Sequence, residues 1–178
     1  MTAAEVPAVA LNRFKLAVPE GKPHPSSSQY AQLQPGQRFS VQLDNWSERE
    51  ADCSLFLDGV LMGHYRIGDE RSVQIERPSG LPQAFTFGAD GSAKQFDAHL
   101  PLDPKQVGLL KAVFVPAGGC ENVSAIPPSL APESSEAAEK EAHPFEIAAR
   151  ANASQQRFAF VPRLQSEQQP TTLFLRLV

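Results

Sequence analysis

This 178-residue chain is poor in the residues that usually mark chemistry, and each shortage excludes a class of function. Its two cysteines, Cys53 and Cys120, lie far apart. In a chain whose start shows no export signal they read as free thiols rather than a disulfide. Histidines stand singly at 24, 64, 99 and 143, with no H-x-H or H-x-x-x-H pair and no cysteine at ligand spacing, so no metal site is expected. There is no G-x-S-x-G elbow, no P-loop and no G-x-G-x-x-G. No catalytic, cofactor-binding or metal-binding residue is therefore assigned, and the chain is not read as an enzyme. Sixteen basic against twenty acidic side chains give a formal charge of -4 without a basic cluster, which argues against nucleic acid as a partner. The N-terminus, M-T-A-A-E-V-P, lacks a basic first region, and no apolar run is long enough for a signal peptide or a membrane span. The expectation is a protein made in a cytoplasm, without a membrane partner.

Aromatic residues are unevenly chosen: eleven phenylalanines, two tyrosines and one tryptophan. Phenylalanine fills interiors, whereas sugar-stacking platforms lean on Trp and Tyr. Sixteen prolines and eleven glycines punctuate many short apolar runs, the pattern of an all-β protein with frequent turns and one core.

The clearest stretch is Ala51 to Pro78. Cys53, Leu55 and Leu57 alternate with polar residues and lead into Asp58-Gly59, a dipeptide that favours a tight hairpin. The chain returns through Val60 to Met62, is interrupted by Gly63, resumes at Tyr65 and Ile67, and turns at Gly68-Asp69 into Val73 and Ile75. A glycine inside a strand signals a bulge that bends the sheet.

Before this stretch, Asn12 to Val18 alternates Phe14, Leu16 and Val18 with Arg13 and Lys15, as a strand along a sheet edge would. Pro19 to Gln29 is rich in proline and serine and reads as a linker, which makes 1–29 an extended N-terminal arm. Pro35-Gly36 marks a turn, and Phe39, Val41 and Leu43 then face inward against Ser40, Gln42 and Asp44. Trp46, in the polar connection that follows, is expected to cap a core edge, with contact to a partner as the alternative.

After Pro78, Gln83 to Phe87 is expected as a short strand, with Phe85, Phe87, Phe96 and Leu100 in the core. Pro101 to Gly108 reads as a turn with one helical turn, and Leu109 to Val115 as an interior strand covered on both faces. Residues 121–144 form a Pro/Ser/Glu-rich linker, too poor in apolar groups to offset the entropy of ordering. Three more strands are expected in 145–178: P-F-E-I-A-A-R, Q-R-F-A-F-V-P, and a terminal one with Leu173, Leu175 and Leu177 opposite Phe174 and Arg176. The fold expected is thus an antiparallel β-sandwich over 30–120, completed by 145–178.

The remaining polar residues have plain readings. His64 would act as a base only if a nucleophile and a carboxylate converged on it. Asp58, Asp69, Glu70 and Glu76 sit near hairpin ends, where solvated turn residues are the ordinary case. D-E-R at Asp69 to Arg71 and E-R-P at Glu76 to Pro78 suggest cross-strand ion pairs. G-A-D-G-S at Gly88 to Ser92 lacks the alternating oxygen ligands and closing glutamate of a calcium loop. Asn-x-Ser triplets at Asn45, Asn122 and Asn152 are read as chance.

Taken together, D-N-W-S-E-R-E-A-D-C-S-L-F-L-D-G-V-L-M-G-H-Y-R-I, V-Q-I-E-R-P and A-F-T-F, spanning Asp44 to Phe87, resemble a β-sandwich module of minor virion proteins of tailed phages and DNA viruses. The resemblance implies a jelly-roll-like capsid decoration or cement protein located in the virion. Its partners would be the major capsid protein or other virion subunits, with self-association possible. A carbohydrate- or ligand-binding module is the alternative, and it requires a groove with Trp46, Tyr30 or Tyr65 exposed. A cryptic hydrolase would require acidic groups converging near Asp58 and Asp69.

Overall fold

The computed structural model describes residues 5–88, 103–118, 154–159, 161, 162, 164 and 169–178. Within them the chain is all-β, with ten strands and no helix. The strands are β1 (Ala8–Leu11), β2 (Phe14–Ala17), β3 (Lys22–His24), β4 (Ser27–Gln32), β5 (Val41–Asn45), β6 (Ala51–Leu57), β7 (Val60–Ile67), β8 (Arg71–Ile75), β9 (Leu109–Pro116) and β10 (Thr171–Leu177). One sheet has four strands in the order β1-β2-β5-β8, and the other has six in the order β3-β4-β10-β9-β6-β7.

Alternation in the sequence becomes one shared core. Leu16, Leu43 and Ile75 from the smaller sheet join Leu55, Leu110 and Leu175 from the larger one in a single buried cluster. Burying each such side chain contributes about 1.5–3 kcal/mol. Phe14 on β2 stacks on Phe114 on β9 with ring centroids 4.6 Å apart, fixing one sheet against the other.

The strand expected within Asn12 to Val18 is present as β2, but the arm and linker expected over 1–29 are replaced from Ala8 onward by strands: β1 to β4 are built into both sheets. The β1–β2 turn uses Asn12 and Arg13, both at positive φ (52° and 67°), and so needs no glycine. β2 does not lie along an edge; it pairs with β1 on one side and β5 on the other. The proline-rich stretch supplies β3, an outermost strand, where Pro23 can lack an N–H without breaking a ladder.

Other expectations are adjusted in the same way. β9 is interior to its sheet, but only Leu110, Ala112 and Phe114 are fully buried; Leu109, Lys111 and Val113 on the other face are half-buried. Gln83 to Phe87 forms no continuous strand: Thr86 is bridged to Arg38, and the Phe39 N–H donates to the Phe85 carbonyl at 3.2 Å. Phe85 and Phe87 are nonetheless buried, as expected. β10 lies between β9 and β4, and its pairing with β4 is parallel, an exception to an antiparallel fold. The described part of Gln156 to Pro162 forms no strand but a strap across β8 and β7. Phe96, Leu100, Cys120, most of G-A-D-G-S, the linker at 121–144 and the strand expected at 144–150 lie outside the described residues.

Candidate interaction surface

The outer face of the six-stranded sheet is shaped by one irregularity. Along β6 the side chains alternate without a break, but β7 carries a bulge: Leu55 pairs with Gly63 while the next residue, Phe56, pairs with Leu61. Met62 is the extra residue. It shifts the phase of β7, so Leu61 and His64, three apart, both point outward while Met62 and Tyr65 are buried. The Met62 carbonyl, left out of the ladder, accepts from the Ser79 N–H at 3.0 Å and the Tyr65 hydroxyl at 3.2 Å. Gly63 has φ 153° at this point, as expected of a strand glycine that marks a bulge.

Register then lines up an apolar row across four strands: Phe174 opposite Lys111, Lys111 opposite Phe56, and Phe56 opposite Leu61. Phe174 and Leu61 are 48% and 45% exposed, high values for large apolar side chains held on rigid strands. Lys111 Nζ lies 5.0 Å from the centroid of the Phe56 ring, so its aliphatic stem covers the row while its charge stays at the surface. One step along, Arg176 lies beside Tyr30 and Leu109. On the other side of the row, Val113, Ser54 and His64 are opposite one another.

Beyond that, the face is closed by polar contacts. Asp52 binds Arg66 Nε at 2.9 Å and the Leu164 N–H at 2.7 Å, and Arg66 also donates to the Pro162 carbonyl at 2.5 Å. The strap continues over the sheet edges, where Phe158 packs on Tyr65 (centroids 5.4 Å) and under the Arg77 guanidinium at 4.7 Å. At β8 the Gln156 side-chain amide accepts from the Glu76 N–H and donates to the Gln74 carbonyl, the two bonds a parallel neighbouring strand would make there. Between strap and sheet runs a half-open groove of about 800 Å³, lined largely by apolar residues such as Val73, Val115, Phe158 and Val161, with Ser54, His64 and Arg157 among its polar ones.

The polar residues weighed from sequence do not converge. Asp58, at the β6–β7 turn, accepts from the Gly108 N–H at 2.6 Å, while Asp69 and Glu70 lie in the turn at the far end of β7. Eight residues of strand separate those turns, about 25 Å at a strand's rise. Glu76 accepts from the Ser154 hydroxyl at 2.8 Å. His64 does meet a hydroxyl, Ser54 Oγ at 2.8 Å from Nδ1, but the neighbouring carboxylate, Asp52, is engaged by Arg66. The cross-strand pairs expected of D-E-R and E-R-P are not among the ion pairs of the described residues, which are Arg13–Glu48, Lys15–Asp44 and Arg66–Asp52; Arg77 donates instead to the carbonyls of Pro78, Leu81 and Gln156. Asn45 is fully buried, its amide donating to the carbonyls of Arg49, Ile67 and Gly68, so its triplet serves a turn. Cys53 has a free, buried thiol, which burial pushes well above the ordinary range.

Of the aromatics expected in a binding groove, Tyr65 is buried, and Tyr30 and Trp46 are 37% and 49% exposed on different sheets' surroundings. Trp46 does not cap the core; the Trp46 N–H donates to the Arg13 carbonyl, and its ring lies at the surface 5.8 Å from Lys15 Nζ. The apolar row was half visible in the sequence. Phe174 opposite the inward leucines was the signal, but only cross-strand register could add Lys111, Phe56 and Leu61. Among the described residues no group of three or more His, Cys, Asp or Glu could hold a metal, and no helix is long and apolar enough to cross a membrane. No family model, no curated protein and no solved structure matches the chain.

Proposed function

We propose that this chain is a non-enzymatic structural protein that works by adhesion. In its specific form it is a jelly-roll-like β-sandwich that decorates or cements a viral capsid, bridging capsomers by contact with the major capsid protein or other virion subunits. The observation that supports adhesion is the exposed row Phe174–Lys111–Phe56–Leu61, a rigid apolar strip facing solvent. Individually weak contacts of this kind gain strength when symmetric copies engage together. The capsid form rests on the resemblance of Asp44 to Phe87. The test is to mix the purified chain with particles stripped of it and examine them by co-sedimentation and electron microscopy. Ordered density at repeated capsid positions is expected; a chain that stays in the supernatant as a monomer overturns the capsid form.

A second reading, a ligand-binding module, is favoured by the groove under the strap, whose size suits a small molecule. A glycan and metabolite screen read by thermal shift tests it, with no stabilising compound counting against it.

A further inference from the structure

We infer that the outer face of the six-stranded sheet docks an acidic polypeptide segment in extended form, with apolar side chains between its carboxylates. This rests on the adhesion reading and names the partner's chemistry.

Charge is the first ground. The chain carries a net charge of -4, yet the outward side chains of β6, β7, β9 and β10 include Lys111, Arg176 and Arg66 against one carboxylate, Asp52. Asp52 is already neutralised by Arg66 at 2.9 Å. Two cations therefore remain uncompensated by the carboxylates of these four strands, and both lie within the apolar patch. Register makes Lys111 and Arg176 diagonal neighbours on adjacent strands, which puts their Cβ atoms roughly 7 Å apart. Arg176 donates to the Lys105 carbonyl at 2.8 Å, an exposed bond that leaves further N–H groups for an acceptor.

Spacing is the second ground. Along β10, Thr172, Phe174 and Arg176 recur at the pitch of alternate strand residues, about 6.6 Å. An extended peptide laid along the strand repeats its own side chains at the same interval. On the face turned to the sheet, a carboxylate can thus meet Arg176, with Lys111 diagonally beside it, while the next side chain on the same face, apolar, lies on Phe174. A second copy of the chain fits poorly: a two-fold axis through this face would bring Lys111 and Arg176 against the same patch of the other copy, whose one outward carboxylate on these strands, Asp52, is engaged by Arg66. A nucleic acid strand demands more cations than two.

The test uses the full chain and fluorescein-labelled ten-residue peptides, followed by anisotropy. One peptide repeats Glu-Ser-Leu-Ser, so that carboxylates and apolar side chains alternate on one face of the extended chain; the others replace Glu with Gln or with Lys, and a thymine oligonucleotide of similar charge is a further probe. Expected is saturable binding of the Glu peptide, about tenfold tighter than the Gln peptide, weakened by salt, and transferred to the Lys peptide in the K111E/R176E variant. F174S removes binding of every peptide while urea unfolding stays unchanged. Equal affinity for the Glu and Gln peptides, with loss in F174S, overturns the acidic partner but leaves adhesion through this face standing. Tighter binding of the oligonucleotide, no binding of any peptide, or a dimer in sedimentation that F174S dissociates, each overturns the inference. Particle association abolished by neither F174S nor K111E/R176E overturns the adhesion reading of this face itself.

Discussion

The outward surfaces of the two sheets obey the same alternation and reach opposite results. Around the middle of the four-stranded sheet, at β2, β5 and β8, the outward polar side chains satisfy one another. The Glu20 carboxylate accepts from the Ser40 N–H and hydroxyl at 2.9 and 2.7 Å, Gln74 donates to the Ser40 hydroxyl at 2.6 Å, and Asp44 receives Lys15 at 3.5 Å and Gln42 at 2.8 Å. Ser40 and Asp44 are in consequence buried although they point away from the core. The six-stranded sheet instead holds Phe174 and Leu61 in water, at a cost of about 25 cal/mol for each Å² that a partner could cover. A polar surface that closes its own hydrogen bonds leaves a partner few groups to engage, and the apolar Leu11 and Trp46 lie at its margin rather than in one row across it. A surface that keeps apolar groups exposed on rigid strands has a reason to bind.

The strongest way to break this contrast is to remove the bulge. Gly63 combines φ 153° with a crowded site, where an added Cβ would lie 2.5 Å from Ser79 Oγ and 2.9 Å from the Tyr65 hydroxyl. Gly63→Ala is expected to cost about 3 kcal/mol or more in denaturant unfolding, and Ser79→Gly in the same chain recovers only part, because the backbone strain persists. An alanine variant as stable as the parent would mean that the phase shift of β7 is not held in place by this glycine. Next in size is the polar face. Glu20→Ala leaves the Ser40 N–H without its acceptor, at a cost of roughly 1.5 kcal/mol, whereas Glu20→Gln costs less because an amide oxygen still accepts. Unfolding curves that superimpose for all three chains would show that this network adds nothing, and the contrast between the two surfaces would lose its basis.

How much of this was legible in the sequence depended on distance along the chain. The Asp58-Gly59 hairpin, the Gly63 interruption and the inward sets Phe39/Val41/Leu43 and Leu173/Leu175/Leu177 are local patterns, and all are found. The stretch 19–29 reads as a linker because proline and serine describe exposed backbone equally well in a linker and in an edge strand; what distinguishes them is that β3 pairs with β4, and β4 in turn with β10, about 145 residues away in sequence. The apolar row is illegible for the same reason. Phe56, Lys111 and Phe174 are ordinary outward residues until antiparallel register sets them side by side. Trp46 was placed at the core edge on residue type alone, whereas the Asn45 amide, bound to three carbonyls, determines where that turn lies.

The smallest expected effect concerns the interior that both sheets share, and it sharpens the contrast by testing whether either outer surface is coupled to the core. Burial pushes the Cys53 thiol above its ordinary 9.0 and the Tyr65 phenol above its ordinary 10.0. Both groups are neutral when protonated. The unfolded chain releases each proton at the ordinary value while the folded chain keeps it, so their stabilisation is complete below pH 9 and declines as pH rises through 9 and then 10. Each group contributes a limiting slope of about 1.4 kcal/mol per pH unit. Cys53→Ala lowers the overall level by opening a small cavity, so the informative quantity is the slope: between pH 9 and 10 it should flatten in this variant and not in the parent. Equal slopes would mean that the thiol does not titrate differently in the two states. Glu20→Ala and Phe174→Ser, which alter opposite outer surfaces, should keep the parental slope. A change in one alone would show that its surface transmits strain to the core, and the two sides of the molecule would then differ in mechanics as well as in chemistry.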